Sequence, residues 1–131
     1  MTGGAPNRAA RRRAWRRGGW AEDVAALWLR LKGYRVLARR LRSGRGGSAG
    51  EVDIVARRGG VVAFVEVKLR RSHEAAAGAI GARQRRRIGQ AARTFLSGRP
   101  DLAACAVRFD AVLLSPWRLP CHLCDAWRME A

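Results

Sequence analysis

The sequence predicts an α/β (α+β) domain with strands at its centre, in the order α-β-β-β-α-β. Three observations lead there. Gly19–Lys32 and Ile80–Leu96 repeat apolar residues at helical spacing. Gly59-Gly60 separates two β-rich runs, a strong hairpin signal. A last apolar run, Val107–Leu114, is rich in β-branched residues.

Taken in order, Met1–Arg17 holds Arg8, Arg11, Arg12, Arg13, Arg16 and Arg17 and no acid, with Gly and Pro near its start. It reads as a disordered basic arm, residues 1–17, ahead of a single domain over 18–131. No apolar segment follows these arginines, which argues against a secretory signal. An organellar transit peptide shares the composition; a bacterial cytoplasmic protein is the expectation. Trp20, Val24, Leu27, Trp28 and Leu31 mark the first helix, and Gly33 stands where a C′ glycine ends one. Tyr34–Arg42 alternates weakly and suits a first strand. Ser43–Gly50, with Gly44, Gly46, Gly47 and Gly50, is a loop lacking the Gly-Lys-Ser/Thr ending of a phosphate-binding loop. Glu51–Arg57 and Val61–Arg70 form the hairpin, and Ile88, Ala91, Ala92, Phe95 and Leu96 give the second helix one apolar face. No internal repeat is present in the sequence.

Composition narrows the function. The chain has 131 residues and a formal charge of +17, from 27 basic residues against 10 acidic ones. Lysine occurs only at Lys32 and Lys68, so 25 residues are arginine. Codon bias accounts for much of this, yet such a field attracts polyanions, nucleic acid first among them. A membrane surface is the rival, but no basic amphipathic helix with large apolar residues opposite stands out. No apolar run, Val61–Val65 included, comes near the roughly 20 residues that span a bilayer. Three cysteines are too few, and odd in number, for a disulfide scaffold.

The hairpin carries the chemistry. With Gly59-Gly60 as a two-residue turn, Arg58 pairs with Val61, Asp53 faces Glu66, and Glu51 faces Lys68. Alternation puts residues 51, 53, 66 and 68 on one face and Val52, Ile54, Val65 and Val67 on the apolar other. Opposed carboxylates destabilise a sheet, so something should compensate. A hard divalent cation does so, and Mg²⁺ or Mn²⁺ suits two carboxylates. A lysine two residues beyond such a glutamate can orient or deprotonate a water, or neutralise a phosphate. From spacing alone, a solvated charged face with an ordinary Glu51–Lys68 pair explains the pattern equally well.

The segments Gly50-Glu51-Val52-Asp53-Ile54-Val55 and Phe64-Val65-Glu66-Val67-Lys68 resemble the Asp…Glu-x-Lys core of the restriction-endonuclease-like nucleases. More narrowly, the chain resembles the bacterial YraN-like family over roughly residues 19–115, through Ala21-Glu22, Gly33-Tyr34 and Arg108-Phe109-Asp110 as well. The resemblance implies a restriction-endonuclease-like core, a central mixed sheet flanked by helices. It also implies Asp53 and Glu66 as ligands of Mg²⁺ or Mn²⁺, Lys68 as the catalytic lysine, and Glu22 as the helix glutamate completing the site. By periodicity alone, the alternative for Glu22 is a first-turn residue favoured by the helix dipole. Glu51 and Gln84 would stand just behind these groups. Gln84 occupies a position where the family usually has lysine, and Arg40 one where asparagine is common.

The resemblance thus implies a metal-dependent endonuclease acting on nucleic acid, most simply DNA, branched or structured DNA included. The alternative is an inactive nucleic-acid-binding or scaffold protein with a vestigial metal site. A weaker one is a partner-binding module in DNA repair or uptake. Related junction-cutting enzymes are dimers, so a homodimer is open by analogy. Arg39, Arg40, Arg42 and Arg70, with Arg83, Arg85 and Arg86 opening the second helix, are candidate phosphate contacts, against the alternative of a solvated surface. Cys121 and Cys124 have a C-x-x-C spacing, but the leftovers Cys105 and His73 are badly placed for a four-ligand zinc site, so reduced thiols are expected. Trp117 and Trp127 are expected to be packing residues.

Overall fold

The computed structural model describes residues 20–42, 51–70 and 81–128. The basic arm, the glycine loop at Ser43–Gly50, His73 and the Glu51 side chain lie outside the described residues.

The chain builds α1 (Trp20–Leu31), β1 (Arg35–Arg42), β2 (Glu51–Arg58), β3 (Val61–Leu69), α2 (Ala82–Ser97), a 3-10 turn (Pro100–Leu102), β4 (Ala106–Leu114) and β5 (Cys121–Trp127). The five strands form one sheet in the order β1-β2-β3-β4-β5. Only β3 and β4 run parallel. That junction needs a crossover, and α2 supplies it. Every predicted element is present, with ends displaced by one or two residues. The sequence did not predict β5. Its residues, Cys-His-Leu-Cys-Asp-Ala-Trp, contain no β-branched side chain and follow two prolines. Pairing with β4 makes the strand, as when tertiary context overrides local preference.

Each face of the sheet carries a helix. Under α1, Ala21, Ala25, Ala26, Leu29 and Tyr34 pack on Ile54, Ala56, Ala63, Val65, Val67 and Val112. Under α2, Ile88, Ala91 and Ala92 pack on Val52, Val55, Val62, Phe64 and Phe109. Trp127 joins this second core, stacked on Phe109 at 5.6 Å. Each fully buried Val, Leu, Ile or Phe among these contributes about 1.5–3 kcal/mol, and each Ala less. Trp117, by contrast, is fully exposed at 102%, so the packing expectation holds for Trp127 alone.

The loop after α1 follows from Gly33. Its φ of 92° admits glycine readily. Tyr34 N–H donates to Leu29 O and Gly33 N–H to Arg30 O, each at 3.0 Å. These are the two bonds of a Schellman motif, and they deliver Tyr34 into the core.

The hairpin register is the predicted one from Arg58↔Val61 to Ile54↔Val65. Gly59 alone of the two turn glycines has positive φ, at 58°, as a type II′ turn requires. Beyond Ile54 the regular ladder ends, so Asp53 does not pair with Glu66 as the simple register predicted. On the other side of β2, the pairs Arg39↔Ile54 and Leu41↔Val52 bracket Arg40, whose φ is 54°. Alternation breaks here, and Val52 packs under α2 with Leu41 and Val55 rather than with Ile54, Val65 and Val67. Neither face of the hairpin is wholly acidic: Phe64 and Val62 lie in the core under α2, and the acids cluster only towards one end.

Candidate functional site

Strands β2 and β3 bring the predicted residues to the end of the sheet where their pairing stops. Asp53 and Glu66 are buried, at 3% and 1% exposure. In place of a ladder bond, the Val67 N–H donates to Asp53 Oδ2 at 2.7 Å. A charge-assisted bond of this kind fixes a carboxylate firmly. Lys68 Nζ lies 3.5 Å from Glu66 Oε1 and donates to Gln84 Oε1 at 3.2 Å. Gln84 stands in the first turn of α2, so the helix tethers the lysine beside the buried glutamate.

Glu22 is also buried, in the first turn of α1. Its carboxylate accepts from Arg40 Nε at 2.8 Å, and Arg39 approaches to 3.7 Å while bonding Asp23 at 2.6 Å. Among the described residues, Glu22, Asp53 and Glu66 do not form a group with one ligand atom each within 4.8 Å of one another. The structure thus joins Glu66, Lys68 and Gln84, and Glu22 with two arginines. Of the other arginines singled out, Arg42 is exposed at the end of β1, and Arg70 donates to Leu69 O at 2.6 Å. Arg83 and Arg86 are exposed on α2, and Arg85 is half-buried.

A second polar cluster, missed in the sequence, lies on the α1 side of β4 and β5. Asp110 is fully buried. Arg108 donates to both its oxygens, each at 2.8 Å. His122 Nε2 lies 2.7 Å from Oδ2, and the Asp125 N–H donates to Oδ1 at 2.9 Å. Lys32 Nζ is 2.6 Å from His122 Nδ1. With the ammonium donating to Nδ1, the ring proton sits on Nε2 and points to Asp110. Arg108 also bonds the Tyr34 hydroxyl. Burial pushes the Asp110 carboxyl up, but the bonds from His122, Arg108 and the Asp125 amide, with the Arg108 charge, outweigh it and hold it below the usual carboxylate range. The legible signal was Arg108 and Asp110 two residues apart on one strand, hence on one face.

Asp110, His122 and Cys124 could each offer a ligand atom within 4.8 Å. Arg108 and Lys32 already occupy their lone pairs and repel a cation, so this is an ion-pair network rather than a metal centre. The C-x-x-C pair does not chelate either: Cys121 packs towards the core under α2, while Cys124 lies 3.7 Å from His122 Nε2. Residues three apart on a strand face opposite ways.

A five-stranded mixed sheet with a helix on each face is the α+β architecture of a restriction-endonuclease-like core. The model of "Uncharacterised protein family UPF0102" matches residues 21–114, and the chain belongs to that family. This is the YraN-like family that the sequence resembles. A UPF0102 protein of Paramagnetospirillum magneticum is 59% identical over 126 residues, covering 96% of this chain and 98% of the relative. One from Parvibaculum lavamentivorans is 52% identical over 88% of this chain and 84% of its own length. A third, from Mesorhizobium japonicum, is 49% identical over 91% and 92%. Among the described residues, no helix is long and apolar enough to cross a membrane.

Proposed function

We propose that the chain is a divalent-metal-dependent endonuclease that hydrolyses phosphodiester bonds, with branched or structured DNA as its natural substrate class. The observation that carries this reading is the buried Asp53, anchored on the Val67 amide, beside buried Glu66 and the tethered Lys68. The donor set is oxygen alone, which fits Mg²⁺ or Mn²⁺ and not a soft metal. Asp53 and Glu66 would hold the cation. When bound, such a cation supplies Lewis-acid stabilisation of a phosphate oxygen and acidifies a water. Lys68, held as an ammonium by Glu66 and Gln84, neutralises charge developing on the phosphate or donates to and orients the attacking water. Gln84 sets the lysine's direction.

Helix α2 supports the nucleic-acid half of the reading. Arg83, Arg85, Arg86 and Arg87 crowd its first turns, and its last turn carries no basic residue. Arg83 and Arg85, in the first turn, oppose the helix dipole at a cost of a few tenths to about 1 kcal/mol each. A phosphate at that end would reverse the sign of the interaction.

The test is incubation of the purified chain with linear duplex, single-stranded and branched DNA, with Mg²⁺ or Mn²⁺ and with chelator. Cleavage should require the cation. Asp53→Asn and Glu66→Gln should reduce it to background, and Lys68→Ala should slow it by roughly 10²–10⁴. No cleavage of any substrate, or undiminished cleavage by Asp53→Asn, overturns the reading. The second reading, binding without turnover, is favoured by Glu22, whose carboxylate is engaged by arginines. It predicts DNA binding that survives Asp53→Ala and Glu66→Ala with no cleavage by the parent chain.

A further inference from the structure

At the other end of α2 lies a cavity of about 570 Å³, within the range that encloses a small organic molecule. Ala92, Leu96, Phe109 and Trp127 give it apolar walls, and Arg93 and Arg128 stand among its lining residues. Asp125, ion-paired to Arg128 at 3.1 Å, adds an acceptor. Trp127 also brings a buried indole N–H with no hydrogen-bond partner among the described residues.

Helix α2 joins this cavity to the acid site. Gln84 in its first turn holds Lys68, and Arg93 near its far end lines the cavity. Arg83, Arg86, Arg87 and Arg93 are all exposed on the outward face of this helix, three of them near its start and Arg93 at the cavity. They span about 15 Å at 1.5 Å per residue, and no acidic residue occurs anywhere in the helix. A cationic track leading from carboxylates to an apolar hollow matches a phosphate backbone that ends in an unstacked base.

We propose that the cavity takes one nucleobase of a single-stranded extension of the substrate, while the α2 arginines follow the intervening phosphates. The inference rests on the nucleic-acid reading above and adds to it a substrate class, DNA carrying a single-stranded tail. The apolar walls enclose the base, and Asp125 and Arg128 face its polar edge with an acceptor and donors.

The test is binding by fluorescence anisotropy, with the full chain and with chelator present, so that cleavage plays no part. The probes are a short blunt duplex, the same duplex with a tail of about six nucleotides, and that tail with abasic residues. The tailed probe should bind about tenfold tighter than the blunt one, the gain expected from one well-held base. The abasic tail should lose most of that gain. Ala106→Trp fills the mouth from an exposed position without changing charge, and Val107→Glu places a carboxylate there. Both should remove the gain and leave blunt-duplex affinity within about twofold, under 1 kcal/mol. Equal binding of native and abasic tails, or an equal loss on blunt and tailed probes, overturns the inference. So does displacement of the tailed probe by an acidic, aromatic peptide at lower concentration than by unlabelled tail. A chain that prefers tails but cuts nothing leaves this inference standing and sinks the nuclease; a chain that cuts but shows no tail preference does the reverse.

Discussion

Asp110 is the residue on which local chemistry bears most directly on stability. Its carboxylate is fully buried, so it must be compensated, and Arg108, His122 and the Asp125 amide do this. Its pKa is depressed in the folded chain and ordinary in the unfolded one. A depressed carboxylate contributes stability that is complete above the unfolded value, about 3.9. That contribution is lost as pH falls through the folded value. Asp110→Asn should therefore destabilise the chain at neutral pH by about 3–5 kcal/mol, since it leaves Arg108 poorly compensated at the sheet. The gap between parent and variant should narrow steadily below about pH 4. Urea denaturation at a series of pH values checks both points. A gap that stays constant down to pH 2 would show that the carboxylate's charge is not what the network needs. The contrast with Asp53 and Glu66 is informative. All three are buried; Asp110 has a guanidinium bonding both its oxygens, and that bidentate pair marks it as architecture.

Elements show where local signals suffice and where they do not. Gly33 is a position where they do: its φ of 92° closes α1, and an added Cβ would meet only Arg58 Cδ at 3.7 Å, an ordinary contact. Gly33→Ala should then cost about 1–2 kcal/mol from backbone conformation alone. Thermal melts would show it, and an unchanged melting temperature would mean that the loop re-forms without the Schellman bonds. Gly59-Gly60 likewise made the hairpin legible, because turn and register follow from the dipeptide. The end of the hairpin was not legible in the same way. Simple alternation opposed Asp53 to Glu66 and Glu51 to Lys68, but the ladder ends at Ile54↔Val65, where Arg40 breaks the neighbouring strand and the Val67 N–H donates to Asp53 Oδ2 instead. Sequence patterns report a regular strand and say nothing of where regularity stops. β5 was hidden for a related reason: its pairing partner, β4, determines it, and its own residues do not. Lys68 and Gln84 were both legible as residues, but their bond depends on how α2 crosses the sheet. Glu22 was legible as a helix glutamate; its capture by Arg39 and Arg40 depends on the packing of α1 against β1.

At the scale of the molecule, the excess of arginine becomes a surface with direction. The described acids divide cleanly. Glu22, Asp53, Glu66 and Asp110 are buried. Asp23, Asp101 and Asp125 are exposed, and each is bonded to an arginine: Arg39, Arg99 and Arg128. Among the described residues, then, no exposed carboxylate lacks an arginine bonded to it, and the outward face of α2 presents arginine alone as its charge. If Arg83, Arg86, Arg87 and Arg93 each neutralise a duplex phosphate, log K should fall with log salt at a slope of about −3.6 from these contacts. Raising salt from about 50 to 200 mM would then weaken their share of binding on the order of a hundredfold. Replacing all four by alanine should flatten the slope by that amount, whereas Glu66→Gln should leave it unchanged, because it adds or removes no phosphate contact. Filter binding or anisotropy across a salt series measures this directly. A quadruple variant with the parent's slope would place the phosphates on another face, and α2 would then owe its arginines to composition rather than to a partner.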